Sequence, residues 1–299
     1  RALSLRTPTW LTPSSTSSGV AGSAKRSEGS TERVVTAGVV ADGAAEALEN
    51  HRFASGDLTL AAHLERPPGG ETGLPGVVIC HGFPSGPDGG ANSVTTFPEL
   101  AFRIATEMGW VAMVPYLRGM EGSAGDFSLD GWRDDVVAAV ADLRSQPDVN
   151  RVWAVGFGSG ASLAICAAAV DVAIMGVAAL AAPADWSDWA ANPRRLLLHA
   201  RDAGLLTMAG APPDFGRWSS ALREISAERV VESMAPRDLL LVHGTDDEVV
   251  PPLDARVLAG QHGSADLRMI AGAGHHLRHD PRAIAILLGW LDRQRRQHA

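Results

Sequence analysis

Cysteine is nearly absent from this 299-residue chain, with only Cys80 and Cys166 present. Two thiols cannot build a disulfide framework, and both sit inside apolar runs. The sequence therefore points to a reducing, cytoplasmic setting with buried, unreactive thiols. An excess of basic charge is missing too. Lys and Arg number 26 against 34 Asp and Glu, for a net charge of −8. Such a chain has no field with which to neutralise phosphates, so a nucleic-acid partner is disfavoured. Residues 1–30 hold no apolar h-region, which argues against a secretory signal there. The longest apolar stretch, residues 161–182, is interrupted by Asp171. A charge in mid-membrane is costly, so the stretch reads as a buried helix running into a buried strand, with no membrane association.

What is present suffices for a sizeable core. Hydrophobic residues make up 45% of the chain, well above the share in disordered polymers. The length suits one large domain or two small ones. Residues 1–49 read as a disordered tail. The first thirty are Ser/Thr-rich, carry Arg1, Arg6, Lys25 and Arg26, and hold no acid before Glu28. An organellar targeting segment shares that composition and is the alternative.

From residue 50 the pattern alternates. Asn50–Phe53 and Leu58–Glu65 flank a Ser55-Gly56-Asp57 turn signal. Gly76–Cys80 is a continuous apolar run of the kind that fills a sheet covered on both faces. Similar runs follow at Trp110–Val114, Val152–Val155, Val172–Ala178 and Leu239–Val242, with a weaker one at Leu267–Ile270. Between them lie helical patterns. Trp132, Val136, Val137, Val140 and Leu143 share one helical face. The last helix takes Asp280 as N-cap and Pro281 in its first turn, and carries Ile284, Leu287, Leu288 and Leu291 on one stripe. Strands alternating with helices imply βαβ units and a mostly parallel, twisted α/β sheet flanked by helices. The interval 184–236 breaks that rhythm and reads as a mainly helical cap between two strands, covering a ligand crevice. The core is then 50–183 together with 237–299.

Three motifs carry the chemistry. Cys80-His81-Gly82-Phe83-Pro84 directly follows a strand. Val155-Gly156-Phe157-Gly158-Ser159-Gly160-Ala161 joins a strand to an alanine-rich helix. His243-Gly244-Thr245-Asp246-Asp247 and Gly272-Ala273-Gly274-His275-His276 each follow a later strand. In this content and order the chain resembles the α/β-hydrolase family over roughly residues 50–295. Tyr116-Leu117-Arg118-Gly119 with Glu121-Gly122-Ser123-Ala124-Gly125 is similar to the dienelactone-hydrolase and acyl-peptidase-like esterase branch. The resemblance implies that the backbone N–H groups of Phe83 and Ser159 form an oxyanion hole. It implies Asp247, rather than Asp246, as the acid, and His275, rather than His276, as the base it orients.

At the nucleophile the chain departs from that family. G-x-S-x-G needs Ser in the middle with small residues two positions away on each side, because the turn is tight. Gly156 and Gly160 fill the small positions, and the middle is Gly158. Sliding the register to make Ser159 the nucleophile would put bulky Phe157 at a small position. Gly158 is therefore the expected tip, with Ser159 the alternative nucleophile. Ser123, Ser162 and Ser85 do not stand in that motif. His275, His276 and His279 cluster, but no partner Cys or carboxylate spacing accompanies them, so neither metal nor cofactor is expected. The expected partner is a small-molecule substrate or ligand, and oligomeric state is not legible. Three readings stay open: slow hydrolysis of an ester or activated carbonyl by a His–Asp dyad without a serine; a silent pseudo-hydrolase binding a small apolar ligand; and a conventional serine hydrolase using Ser159.

Overall fold

A computed structural model describes residues 50–84, 96–120 and 122–298. The expected tail at 1–49, its targeting alternative at 1–30, Ser85 and Glu121 lie outside the described residues.

The apolar runs become one eight-stranded sheet. Its strands are β1 (His51–Ser55), β2 (Leu58–Glu65), β3 (Leu74–Cys80), β4 (Val111–Pro115), β5 (Val149–Phe157), β6 (Ile174–Leu180), β7 (Asp238–Gly244) and β8 (Asp266–Ile270). The order is β1-β2-β4-β3-β5-β6-β7-β8. β1, β2 and β4 pair antiparallel, and from β4 through β8 every pairing is parallel. The run in β3 shows why a covered strand is continuously apolar. Val78 and Cys80 face one core cluster with Trp132 and Ala164. Val77 and Ile79 face the opposite cluster with Phe97, Trp153 and Leu287. Both faces are dry, so neither set can be polar.

Helices α1 (Phe97–Met108), α2 (Leu129–Ser145) and α3 (Ser159–Val170) cover the sheet between β3 and β6. α3 is buried all round from Ser159 through Ala168, as its unbroken small and apolar sequence requires. In α2 the Ser128 side chain caps the N-terminus by accepting from the Gly131 amide. The expected apolar face of α2 is buried at Trp132, Val136, Val140 and Leu143, while Val137 stands at its half-buried margin. Asp135 lies on that buried face with zero exposure. Arg118 Nη2 donates to it at 2.7 Å, Ser55 Oγ at 2.6 Å and the Arg118 amide at 2.9 Å. This charge triangle ties the loop after β4 to the β1–β2 hairpin.

One boundary differs from the sequence pattern. The run Val172–Ala178 predicts the sixth strand, yet β6 begins at Ile174. Asp171 is the reason: its Oδ1 accepts the Ala173 amide at 2.8 Å, closing a turn that leaves Val172 80% exposed.

Between β6 and β7 lie α4 (Ser187–Ala191), α5 (Pro193–Asp202), α6 (Phe215–Glu224), α7 (Ala227–Val230) and a 3₁₀ turn at Val231–Met234. The α5–α6 connection is fastened to the loop after β4, where Phe127 donates to Leu205 O and Asp126 accepts the Thr207 amide. α8 (Pro252–His262) and α9 (Pro281–Gln297) complete the chain. α9 starts at the expected signal, with Asp280 Oδ1 accepting the Arg282 amide at 2.8 Å. Among the described residues no helix is long and apolar enough to cross a membrane.

Candidate active site

The parallel strands end on one edge, and the motif residues hang from it. β5 turns into α3 at Gly158, whose φ of 55° and ψ of −124° lie in a region that side-chain-bearing residues rarely enter. Its neighbours show why this turn is glycine-rich. A Cβ on Gly156 would lie 2.4 Å from Ala161 Cα, and one on Gly160 would lie 2.2 Å from His81 O. These are backbone collisions, so both positions require glycine. At Gly158 no backbone collision excludes a side chain, but the fit is close: a Cβ there would meet His275 Nε2 at 3.3 Å, a contact that would press the imidazole back slightly, with His275 Cε1 at 3.7 Å and Gly82 Cα at 3.9 Å. The space beside the tip is thus bounded by an imidazole and a glycine.

Ser159 begins α3, where the first amides have no intrahelical acceptor. Its Oγ is buried and makes no hydrogen bond, so His275 does not contact it through one. Ser123 and Ser162 are engaged in structure. Ser123 Oγ donates to Tyr116 O and accepts the Ala61 amide. Ser162 Oγ donates to Pro183 O.

On the opposite side, His275 and Asp247 meet. His275 Nδ1 lies 2.9 Å from Asp247 Oδ2. A carboxylate only accepts, so Nδ1 carries the hydrogen and Nε2, facing Gly158, is the ring's basic nitrogen. Asp247 Oδ1 takes the amides of Val249 at 2.9 Å and Val250 at 2.8 Å. Burial alone would raise this carboxyl. Hydrogen bonds from His243 and His275 outweigh that effect, helped by the Val250 amide, and hold it well below the usual carboxylate range. Asp246 turns elsewhere, accepting from Thr245 Oγ1. His276 sits beside His275, with ring centroids 5.7 Å apart.

The loop after β3 is fixed at both ends of one peptide. His81 is fully buried, and burial pushes its imidazole down to about 4 against a smaller upward pull from the Gly82 carbonyl. The ring is therefore neutral at physiological pH, and Nδ1 donates to Gly82 O at 2.8 Å. In a planar trans peptide the C=O and the next N–H point oppositely, so anchoring Gly82 O sets the direction of the Phe83 N–H. The Phe83 ring is wedged from both sides. Phe127 and Trp132 of the core lie 5.2 and 5.7 Å away; Trp189 and a stacked His199 from the β6–β7 helices lie 5.2 and 5.5 Å away.

Sequence patterns singled out Gly158, Ser159, Phe83, Asp247 and His275, and all stand along this edge. They missed His243, which stood in the sequence only as the first residue of the motif that carries Asp247. It approaches the same Asp247 oxygen as His275 does, at 3.2 Å. The four-residue separation across a tight turn was the available signal. Both thiols are buried and pushed up to about 12 by desolvation. Among the described residues no group of three or more His, Cys, Asp or Glu is placed to hold a metal ion.

This edge, this strand order and these loops define a class. The chain has the α/β-hydrolase fold, and solved structures bear that out. Est1E from Butyrivibrio proteoclasticus with ferulic acid bound is 19% identical, with a TM-score of 0.60 over 83% of this chain and 98% of that one. The α/β hydrolase GrgF from Penicillium sp. sh18 is 20% identical, with a TM-score of 0.63 over 81% and 96%. A meta-cleavage product hydrolase from Pseudomonas fluorescens IP01 is 16% identical, with a TM-score of 0.57 over 83% and 99%. No family model and no curated protein sequence matches the chain.

Proposed function

We propose that the protein hydrolyses a small ester or similarly activated carbonyl compound, slowly, by general-base activation of water. The carrying observation is the space beside the side-chain-free tip, where a Cβ on Gly158 would stand 3.3 Å from His275 Nε2 while His275 Nδ1 is held by Asp247. A water in that space passes its proton to Nε2 as its oxygen attacks the carbonyl carbon. The oxyanion develops against the Phe83 and Ser159 amides, at the N-terminus of α3. Collapse expels the alcohol, which takes the proton back from His275. No acyl-enzyme forms. Sites of this kind retain roughly 10³–10⁴-fold catalysis without the serine. The loop after β4 and the resemblance to dienelactone-hydrolase-like esterases support a small acyl substrate.

A second reading is favoured by the same bare tip. A pocket without a nucleophilic side chain can bind a small apolar ligand and do no chemistry. His275→Ala separates the two: loss of ester turnover supports the base role, and unchanged turnover removes it. Ser159 as nucleophile is opposed by its Oγ, which has no hydrogen-bonded base. Fluorophosphonate treatment of the native protein and of Gly158→Ser tests that directly. The expected result is labelling of the variant alone, at residue 158. Labelling of Ser159 in the native protein would return it to acyl-enzyme chemistry.

A further inference from the structure

Asp247 serves two imidazoles, and only one of them faces Gly158. His243, the penultimate residue of β7, is fully buried and brings Nε2 to 3.2 Å from Asp247 Oδ2. The same nitrogen lies 3.1 Å from the carbonyl oxygen of Val250. Both neighbours can only accept, so Nε2 must carry the hydrogen, which meets Val250 O in full hydrogen-bond geometry while Asp247 Oδ2 stands close at its side. Nδ1 is buried without a hydrogen-bond partner, so no acceptor is placed to take a hydrogen from it. The geometry thus selects one tautomer, with Nε2 protonated and Nδ1 bare.

We infer that His243 is a positioning residue, acting through Asp247 and never on substrate. Two amides anchor Oδ1, yet they leave the carboxylate free to pivot about that oxygen. The His243 Nε2–H holds Oδ2 from a second direction, and this fixes the oxygen that His275 Nδ1 meets at 2.9 Å. It also draws charge from Oδ2, so the dyad hydrogen bond is weaker than an unshared one would be. An apolar residue of similar size would fill the strand end without an orphaned Nδ1. What the imidazole adds is the donor.

This inference rests on the general-base reading of His275, so its test includes one measurement that needs no turnover. Long-range ¹H–¹⁵N spectra of the full chain at pH 8 should show His243 protonated at Nε2 and bare at Nδ1. The His275 Nδ1–H resonance should move downfield in His243→Leu, where Oδ2 loses its second donor. It should stay near the native position in His243→Gln, whose side-chain amide restores a donor at that reach. In ester assays His243→Leu should lower kcat about tenfold with KM unchanged, and His243→Gln should recover most of it. A proton on His243 Nδ1, or a His275 resonance indifferent to the Leu substitution, would reduce His243 to a packing residue. Should His243→Leu fail to fold, the native tautomer and the His243→Gln resonance decide. If the spectra behave as expected while His275→Ala leaves turnover unchanged, the positioning geometry stands and the hydrolytic reading falls.

Discussion

The two sides of the candidate site are built to different standards. At the β5–α3 turn the backbone is over-determined and the side chain is missing. Gly156 and Gly160 press on their neighbours so tightly that no Cβ fits, and Gly158 between them holds φ at 55°. On the far side the backbone is ordinary loop, while the side chains are over-determined: Asp247 accepts from His275, His243 and two amides. In the reading proposed above, one side has a sharp strand-to-helix turn with no side chain at its tip. The other brings His275 Nδ1 to 2.9 Å from Asp247 Oδ2. The contrast teaches that the turn and the His275–Asp247 contact are held by separate interactions, backbone packing on one side and hydrogen bonds on the other.

Four substitutions or titrations break or sharpen that contrast. The largest effect should come from the turn. Gly160→Ala puts a methyl 2.2 Å from His81 O and 2.6 Å from Cys80 O. Neither strand end can retreat, so the expected loss is more than about 4 kcal/mol, read by urea denaturation.

Acidification should strike the same side next. His81 is lowered from 6.5 to about 4, so between those values the unfolded chain binds a proton that the native ring refuses. Stability therefore falls as pH drops from 6.5 to 4, by about 3 kcal/mol for this group. His199 and His262, also lowered by burial, add to the slope. The difference between native protein and His81→Leu isolates the His81 share, and equal slopes would refute it. Asp247 behaves oppositely. Its native carboxyl is depressed, so its contribution is intact above the ordinary carboxylate range and drains only as pH falls below it.

Gly158→Ser comes third. A side chain at positive φ costs on the order of 1–3 kcal/mol. Thermal unfolding should show that loss even as the variant gains fluorophosphonate labelling. Last is His275→Gln, expected to cost about 1 kcal/mol, because Asp247 keeps three of its four donors. The residue proposed to move the proton should thus be the one whose loss the fold feels least.

Much of this was legible beforehand. Continuous apolar runs predicted the covered strands because a strand wet on one face would alternate. The turn at Gly158 was legible because only glycine tolerates the backbone approaches at 156 and 160. Where reading failed, the cause was a contact between distant residues. Nothing in Asp135's neighbours along the chain says that a guanidinium from residue 118 will meet it at zero exposure. Phe83 looked like the bearer of an amide, and its ring proved to be the wedge between core and inserted helices. His243 is the exception: it stands only four residues before Asp247, and the turn after β7 brings the two within 3.2 Å.

The order of motifs, the glycines at the turn and the alternation of apolar runs follow from local rules: backbone sterics and the need to keep polar groups out of a doubly covered sheet. Those rules act between near neighbours, so the chain determines them alone. Which nitrogen faces which oxygen is another matter. The 2.9 Å meeting of His275 with Asp247, the 3.2 Å approach of His243 and the placing of His275 Nε2 beside Gly158 arise where four strand ends converge. Hydrogen bonds depend on tenths of an ångström between groups carried on different strand ends and loops, and only the folded sheet sets those distances.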